Sequence, residues 1–247
     1  PIAALLVGDP SVSGEKEVAY ATYIILKCIA RRPLQDEVLC QLCNQTWLNP
    51  NDLNAERGWL LMSLCLSCFS PSEQLYPYLL CYITSHGFEG YRAMCQHKLL
   101  RFHGRQSRCY PPSLLEFTAS SQQKVMTVEV LLPDGTSQRV LVDSATTAAE
   151  LGNMVARCAG VPRPSGWTVT GACKGGAGAH DSKDVVSKVF ESEANVLDWV
   201  SQLEVPAMAQ KLCARTDATT PGVATAATDI DSGSGIAGGG SGGAADA

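Results

Sequence analysis

No apolar run in this 247-residue sequence approaches the ~20 residues that a helix needs to cross a bilayer. The longest strongly apolar stretches, residues 60–69 and 75–83, are each about ten residues long, so no transmembrane helix is expected. A basic region before the short apolar start at residues 2–7 is also missing, so no secretory signal is expected there; the start is expected to be cut from something longer, and the protein to be cytosolic. Charged residues make up only 17% and aromatics 6% of the chain, and the net charge is −5. That balance, with few aromatics for base stacking, gives nucleic acid no support as a partner. Catalytic signatures are lacking as well. The glycine-containing stretch at 171–178 has Lys174 ahead of its glycine pair, whereas a phosphate-cradling loop needs lysine directly after the last glycine, followed by Ser or Thr. His86, His97 and His103 come with no nucleophile pattern, so no catalytic, cofactor-binding or metal-binding residue is expected.

Cysteine, by contrast, is plentiful at 11. Cys40 and Cys43, then Cys65 and Cys68, are spaced much like a four-thiolate zinc site. Each pair, however, falls in a helix-periodic stripe of leucines, where cysteine serves as a small core residue, and neither lies at an exposed helix start that would activate a thiolate. A zinc or redox protein therefore stands as the remote alternative.

The apolar pattern divides the chain in two. Val18, Ile25, Leu26 and Ile29 recur at helical spacing up to Pro33. Leu34, Val38, Leu39 and Leu42 give a second helix, ended by Asn49, Pro50 and Asn51. The third, residues 55–69, is apolar nearly all round, the mark of a helix buried at the centre of a bundle. Ser70, Pro71 and Glu73 read as a capping box opening a fourth helix, with a kink expected at Pro77. A fifth spans residues 88–103, and a short one residues 114–118.

The period then shifts to two. Residues 125–132 and 136–142, joined by Pro133, Asp134 and Gly135, form a hairpin. Thr147 and Glu150 make a capping box for a helix that Gly160 ends. Hairpin then helix opens a ubiquitin-like fold. A third strand is expected at 167–170 and a helical stripe at 195–203, whereas residues 171–180 carry no clear pattern. The domains expected are a helical bundle at 1–119, a ubiquitin-like α+β domain at 124–205 and a low-complexity, disordered tail at 206–247.

Charge differs between the parts. Residues 1–120 hold ten basic and ten acidic side chains, residues 121–247 nine and fourteen. Within the first part, Arg92, Lys98, Arg101, Arg105 and Arg108 follow one another with no acid between them. The segment reads either as a solvated helix face or as a patch for an acidic partner, and the lack of compensating acid favours the patch.

The string PLQDEVLCQLCNQ at 33–45, then Asn49-Pro50-Asn51, Arg57-Gly58-Trp59 with two leucines, the step after Phe69, and Pro111-Pro112-Ser113 with Glu116 closely resemble the myosin tail homology 4 (MyTH4) domain. VMTVEVLLPDG at 125–135, TTAAEL at 146–151 and NVLDWVSQ at 195–202 resemble the first lobe of the FERM domain that follows it in that family; the glycine-rich stretch between them departs from the pattern. The resemblance, strongest to unconventional myosins of class fifteen or seven, implies a non-catalytic fragment without a motor, truncated after the first FERM lobe. It further implies an adaptor gripping cargo or scaffold peptides, which in some members contacts microtubules and reaches actin only through the parent motor. It makes Arg57, Gly58 and Trp59 structural, with Arg57 expected to pair with Asp36 or Glu37, and Trp59 a core anchor.

Overall fold

The structure is a computed structural model, and it describes residues 14–132, 134–160, 168–174 and 185–213. Six helices come first: α1 (Gly14–Ala30), α2 (Pro33–Thr46), α3 (Asp52–Leu66), α4 (Tyr76–His86), α5 (Glu89–Phe102) and α6 (Leu114–Ser121). They form the expected helical bundle, and α3 runs through its middle, packed on α1, α2, α5 and α6. That place follows from its sequence. Every residue from Leu61 to Leu66 is buried along with Trp59, as a helix without a polar face requires. Asn51 caps the start of α3 by accepting a hydrogen bond from Asn54 N–H at 3.1 Å.

Two expectations for the bundle are corrected. The fourth helix begins at Tyr76, not at Pro71. Ser72 instead makes a turn, donating its N–H to Asp36 Oδ1 at 2.9 Å while its carbonyl accepts from Leu75 N–H. Pro77 consequently sits in the first turn of the helix, where no backbone donor is needed and no kink arises. The sixth helix reaches Ser121, started by a capping box in which Ser113 Oγ accepts from Glu116 N–H and Glu116 Oε2 from Ser113 N–H.

The second domain holds two antiparallel hairpins, β1 (Met126–Leu131) with β2 (Ser137–Val142) and β3 (Thr170–Lys174) with β4 (Val185–Val189), together with α7 (Ala148–Cys158) and α8 (Val196–Cys213). The β1–β2 register runs from Met126 opposite Val142 to Leu131 opposite Ser137. Gly135 in the turn and Gly160 after α7 adopt φ of 83° and 71°, the left-handed region where glycine has no steric penalty. Thr147 and Glu150 form the expected capping box of α7. Met126, Val140, Val142, Leu151, Val155, Phe190, Leu197, Trp199 and Leu203 make a separate core.

The third strand lies further along than expected, at Thr170–Lys174 rather than 167–170. Gly171 explains why its pattern is weak: a Cβ there would stand 2.5 Å from Trp199 Nε1, so the strand carries glycine where the indole approaches its backbone. Gly171→Ala is therefore expected to destabilise the lobe by about 1–3 kcal/mol through overpacking, read as a lower urea midpoint for the signals of the second domain. The tail was expected at 206–247, but α8 continues through residues 206–213; residues 214–247, the glycine-rich residues 175–184 and the apolar start at 2–7 lie outside the described residues.

Candidate interaction site

The basic segment leaves the bundle along α5 and the loop to α6, and the structure gives each of its five cations an acceptor within the chain. Arg92 is exposed and donates to Gly87 O from Nε and Nη2, at 3.3 and 3.1 Å. Lys98 is buried. Its three ammonium donors meet Ser63 O at 3.2 Å, Ser63 Oγ at 2.8 Å and Ser120 Oγ at 3.0 Å, joining α5 to α3 and α6. Burial holds this ammonium below the usual lysine range, and the three acceptors answer the need of a buried charge for partners.

Arg101 and Arg105 cross to the second domain. Arg101 places Nε 2.8 Å from Asp143 Oδ2 and Nη2 2.8 Å from Glu150 Oε2. Arg105 adds Nη1 to Ala145 O at 3.0 Å and Nη2 to Glu150 Oε1 at 3.3 Å. Glu150 is also the capping residue that accepts from Thr147 N–H. The start of α7 is thus fixed from within its own domain and from the bundle at once.

Arg108 lies deepest. Its side chain is 2% exposed and bridges both domains: Nη1 to Glu116 Oε1 on α6 at 2.6 Å, Nε to Asp198 Oδ1 on α8 at 2.6 Å, Nη2 to Ser201 Oγ at 3.2 Å. Its own N–H donates to Cys68 O at 2.7 Å, after the end of α3. Glu204 of α8 completes the seam by accepting from Leu114 N–H at 2.6 Å, at the start of α6.

Three of the five cations, Arg101, Arg105 and Arg108, thus find acids in the second part of the same chain, and Arg108 pairs with Glu116 of the bundle as well. Lys98 and Arg108 are buried and cannot meet a partner from solvent; Arg101 and Arg105 are engaged at the seam. The sequence held one clue to this, the acid excess after residue 120. It did not single out Asp143, Asp198 or Glu204, and it gave Glu150 only a capping role.

Beside the seam runs an open groove of about 430 Å³. Val125, Leu141 and Met154 give it apolar surface, and Arg157, Arg101, Asp143 and Glu150 charges of both signs, Arg101 being paired with the two acids. Val125 and Leu141 are 78% and 60% exposed. An apolar strip rimmed by polar and charged groups is a combination that holds an extended segment by its apolar side chains.

The seam has a pH signature. Hydrogen bonding from Arg101, above all, holds the Glu150 carboxyl below the usual glutamate range. A carboxylate with a depressed folded pKa contributes stability that is fully present above its unfolded pKa and is lost as pH falls through the folded one. Stability is expected to drop below the ordinary glutamate range, and Glu150→Gln to remove part of that drop, measured as urea midpoints from neutral pH downward.

Elsewhere, Arg57 pairs with Glu17 on α1 at 2.7 Å, not with Asp36 or Glu37. Asp36 is turned to Ser72 N–H, and Glu37 accepts from Gln41 Nε2 at 2.8 Å. Gly58 and Trp59 are buried as expected of structural residues. Cys65 and Cys68 are wholly buried, and Cys40 is exposed. Burial pushes the Cys43 thiol up to about 12 and that of Cys65 well above its usual value, the opposite of the activated thiolate that redox or metal chemistry requires. Among the described residues, no three His, Cys, Asp or Glu side chains converge on a metal position.

Comparison with known proteins agrees with this architecture. Residues 21–119 match the MyTH4 domain family and residues 124–218 the RA like domain family. Human unconventional myosin-XV is 37% identical over 207 residues, 81% of this chain and 6% of that protein. Unconventional myosin heavy chain 6 of Caenorhabditis elegans is 37% identical over 203 residues, 81% of this chain and 9% of that protein. The chain thus spans less than a tenth of these curated relatives. Among solved structures, the MyTH4-FERM MF1 domain of Dictyostelium discoideum myosin VII shares the fold at a TM-score of 0.71 and 21% identity, covering 85% of this chain and 43% of that one. The C-terminal MyTH4-FERM domain of human myosin 7b, in complex with the harmonin-a PDZ3 domain, gives 0.68 and 23%, over 85% and 42%.

Proposed function

The chain belongs to the MyTH4–FERM tail family of unconventional myosins, a MyTH4 domain leading into an RA-like, FERM-like lobe, and from that membership we propose that it works as a cargo- and scaffold-binding adaptor in the cytoplasm, beside the cytoskeleton. It is a non-catalytic interaction module. The observation that carries the proposal is the groove beside the Arg101–Glu150 seam, which His97 and Arg101 of the bundle flank and to which the lobe contributes an exposed apolar strip. A domain pair fixed across such a groove presents a preformed surface, so a partner segment loses less ordering entropy on binding. The complex of human myosin 7b with the harmonin-a PDZ3 domain supports a protein as the partner; in this reading scaffold and cargo peptides are bound, and actin is reached only through the parent motor.

An array of extended peptides from scaffold and cargo proteins, bound to the full chain and to Val125→Glu and Leu141→Glu variants, tests this. The peptides that bind are expected to weaken about tenfold, ~1.4 kcal/mol, in both variants and to hold their affinity as salt rises. Binding that ignores both substitutions would remove the groove from the reading. The alternative, a charge-driven microtubule contact through Arg92, Lys98, Arg101, Arg105 and Arg108, is weakened because all five already donate within the chain. Co-sedimentation is expected to show no salt-sensitive pelleting.

A further inference from the structure

One edge of β2 has no neighbour. Leu132 N–H donates to Thr136 O at 2.8 Å, which makes these two a hydrogen-bonded pair, and bonded and non-bonded pairs alternate along an antiparallel ladder. In the observed register Val130 with Gln138, Val128 with Val140 and Met126 with Val142 are therefore bonded pairs. Ser137, Arg139 and Leu141 fall between them. Their N–H and C=O groups point away from β1, and among the described residues no other backbone takes them. A strand edge that leaves a row of such groups open is a template for another chain.

That edge opens on the groove beside the seam. Along β2, Leu141 faces the solvent side of the hairpin and Val142 the core side, yet both line the groove, so the groove passes along the edge between the two faces. Its opposite wall is Glu150, Asn153, Met154 and Arg157, spaced along one face of α7, with His97 and Arg101 of the bundle beside them. The wall is held in place. Leu151 and Val155 of α7 share a core with Val140 and Val142, and Arg101 and Arg105 fix the start of the helix through Glu150.

A strand edge beside a helix selects an extended chain. A docked segment exchanges backbone bonds with Arg139 and Leu141 and sets its side chains alternately to the two faces, one row toward Val142 and Met154 and the other beside exposed Leu141. β-Branched residues suit both rows. The groove calls for a lone chain rather than a second copy of this one. The β2 of a second copy would carry its own α7 and bundle beside the same edge, and two such walls would meet in one groove.

Resting on the groove as the partner site, we propose that the partner segment binds as an added strand on β2, with the N–H and C=O groups of Arg139 and Leu141 as its backbone partners and apolar or β-branched side chains at alternate positions as its recognition feature.

The probe is an end-blocked eight-residue peptide alternating isoleucine and threonine, with two further versions, one N-methylated at the isoleucines and the other at the threonines. A strand that pairs through one edge uses the N–H groups of one set only. One methylated version is therefore expected to lose at least about tenfold in affinity, while the other stays within about threefold of the parent peptide. In NMR of the isotopically labelled full chain, the parent peptide is expected to slow hydrogen exchange at the Arg139 and Leu141 amides and to leave Gln138 and Val140, already bonded to β1, unchanged. Arg139→Pro removes one donor at an edge position that proline tolerates and is expected to weaken binding about tenfold, with Arg139→Ala unaffected. No saturable binding, equal loss with both methylated versions or with neither, or unchanged exchange at Arg139 and Leu141 would each overturn the proposal. So would protection of those amides in the free chain together with a dimer in sedimentation equilibrium, because a second copy would then hold the edge. The two readings fail apart: binding that Val125→Glu and Leu141→Glu weaken but that ignores the placement of the methyl groups keeps the groove and removes the added strand, and methyl-sensitive binding indifferent to both substitutions removes the groove and leaves the edge.

Discussion

Arg108→Leu is expected to cost the full chain about 3–5 kcal/mol of stability, the range for removing one partner of a buried ion pair. The guanidinium is 2% exposed and Glu116 0%, so the substitution leaves a carboxylate in the interior with only the Ser113 N–H and Oγ to answer it. It also cuts the links to Asp198 and Ser201 on α8, which tie the bundle to the lobe. A leucine, shorter by the whole guanidinium, fills part of the space and supplies no donor. Adding Glu116→Gln to Arg108→Leu is expected to return part of the loss, because the stranded charge is gone; the pair should therefore be strongly non-additive. Arg108→Lys should fall between, since one ammonium cannot reproduce a planar fork that reaches two carboxylates and a hydroxyl. Urea unfolding of the parent, Arg108→Leu, Glu116→Gln, the double variant and Arg108→Lys reads all of this, and a loss below about 1 kcal/mol for Arg108→Leu would place the residue among exposed surface pairs.

Trp59→Ala is expected to cost about 3–5 kcal/mol as well, by a different route. The indole is 1% exposed at the centre of the bundle, and its removal leaves a cavity that α3, packed on four other helices, cannot close by shifting. Its effect should also reach the surface, because Tyr82 stacks on it with planes 14° apart and supports Trp47 and His86 in turn. Trp59→Phe keeps a ring in that stack and should lose less. Thermal unfolding compares the two, and an alanine variant as stable as the parent would mean that Trp59 is not the anchor of the core.

Much of the fold was legible because it rests on local periodicity. The all-apolar run of α3, the hairpin around Gly135 and the Thr147–Glu150 box each declare themselves within a few residues. The seam does not. Arg101 finds its acids 42 and 49 residues away, and Arg108 finds Asp198 at a separation of 90. No local pattern contains such pairs, so the segment read as a surface awaiting a partner. The start of α4 was misplaced for a similar reason: Ser72 N–H is held by Asp36, 36 residues earlier, and that contact favours a turn where the sequence offers a plausible helix cap. Gly171 was unreadable until Trp199 stood against it. The lesson is physical: periodicity reports what an element buries, and long-range charge pairs report how elements join.

Scanning calorimetry of the full chain, beside an Arg101→Glu/Arg105→Glu variant, tests most directly whether the basic segment joins the two domains into one cooperative unit. The parent is expected to unfold in a single transition whose calorimetric and van't Hoff enthalpies agree, and the variant, with like charges facing Asp143 and Glu150, in two. Two independent transitions in the parent, or a single unchanged transition in the variant, would contradict it.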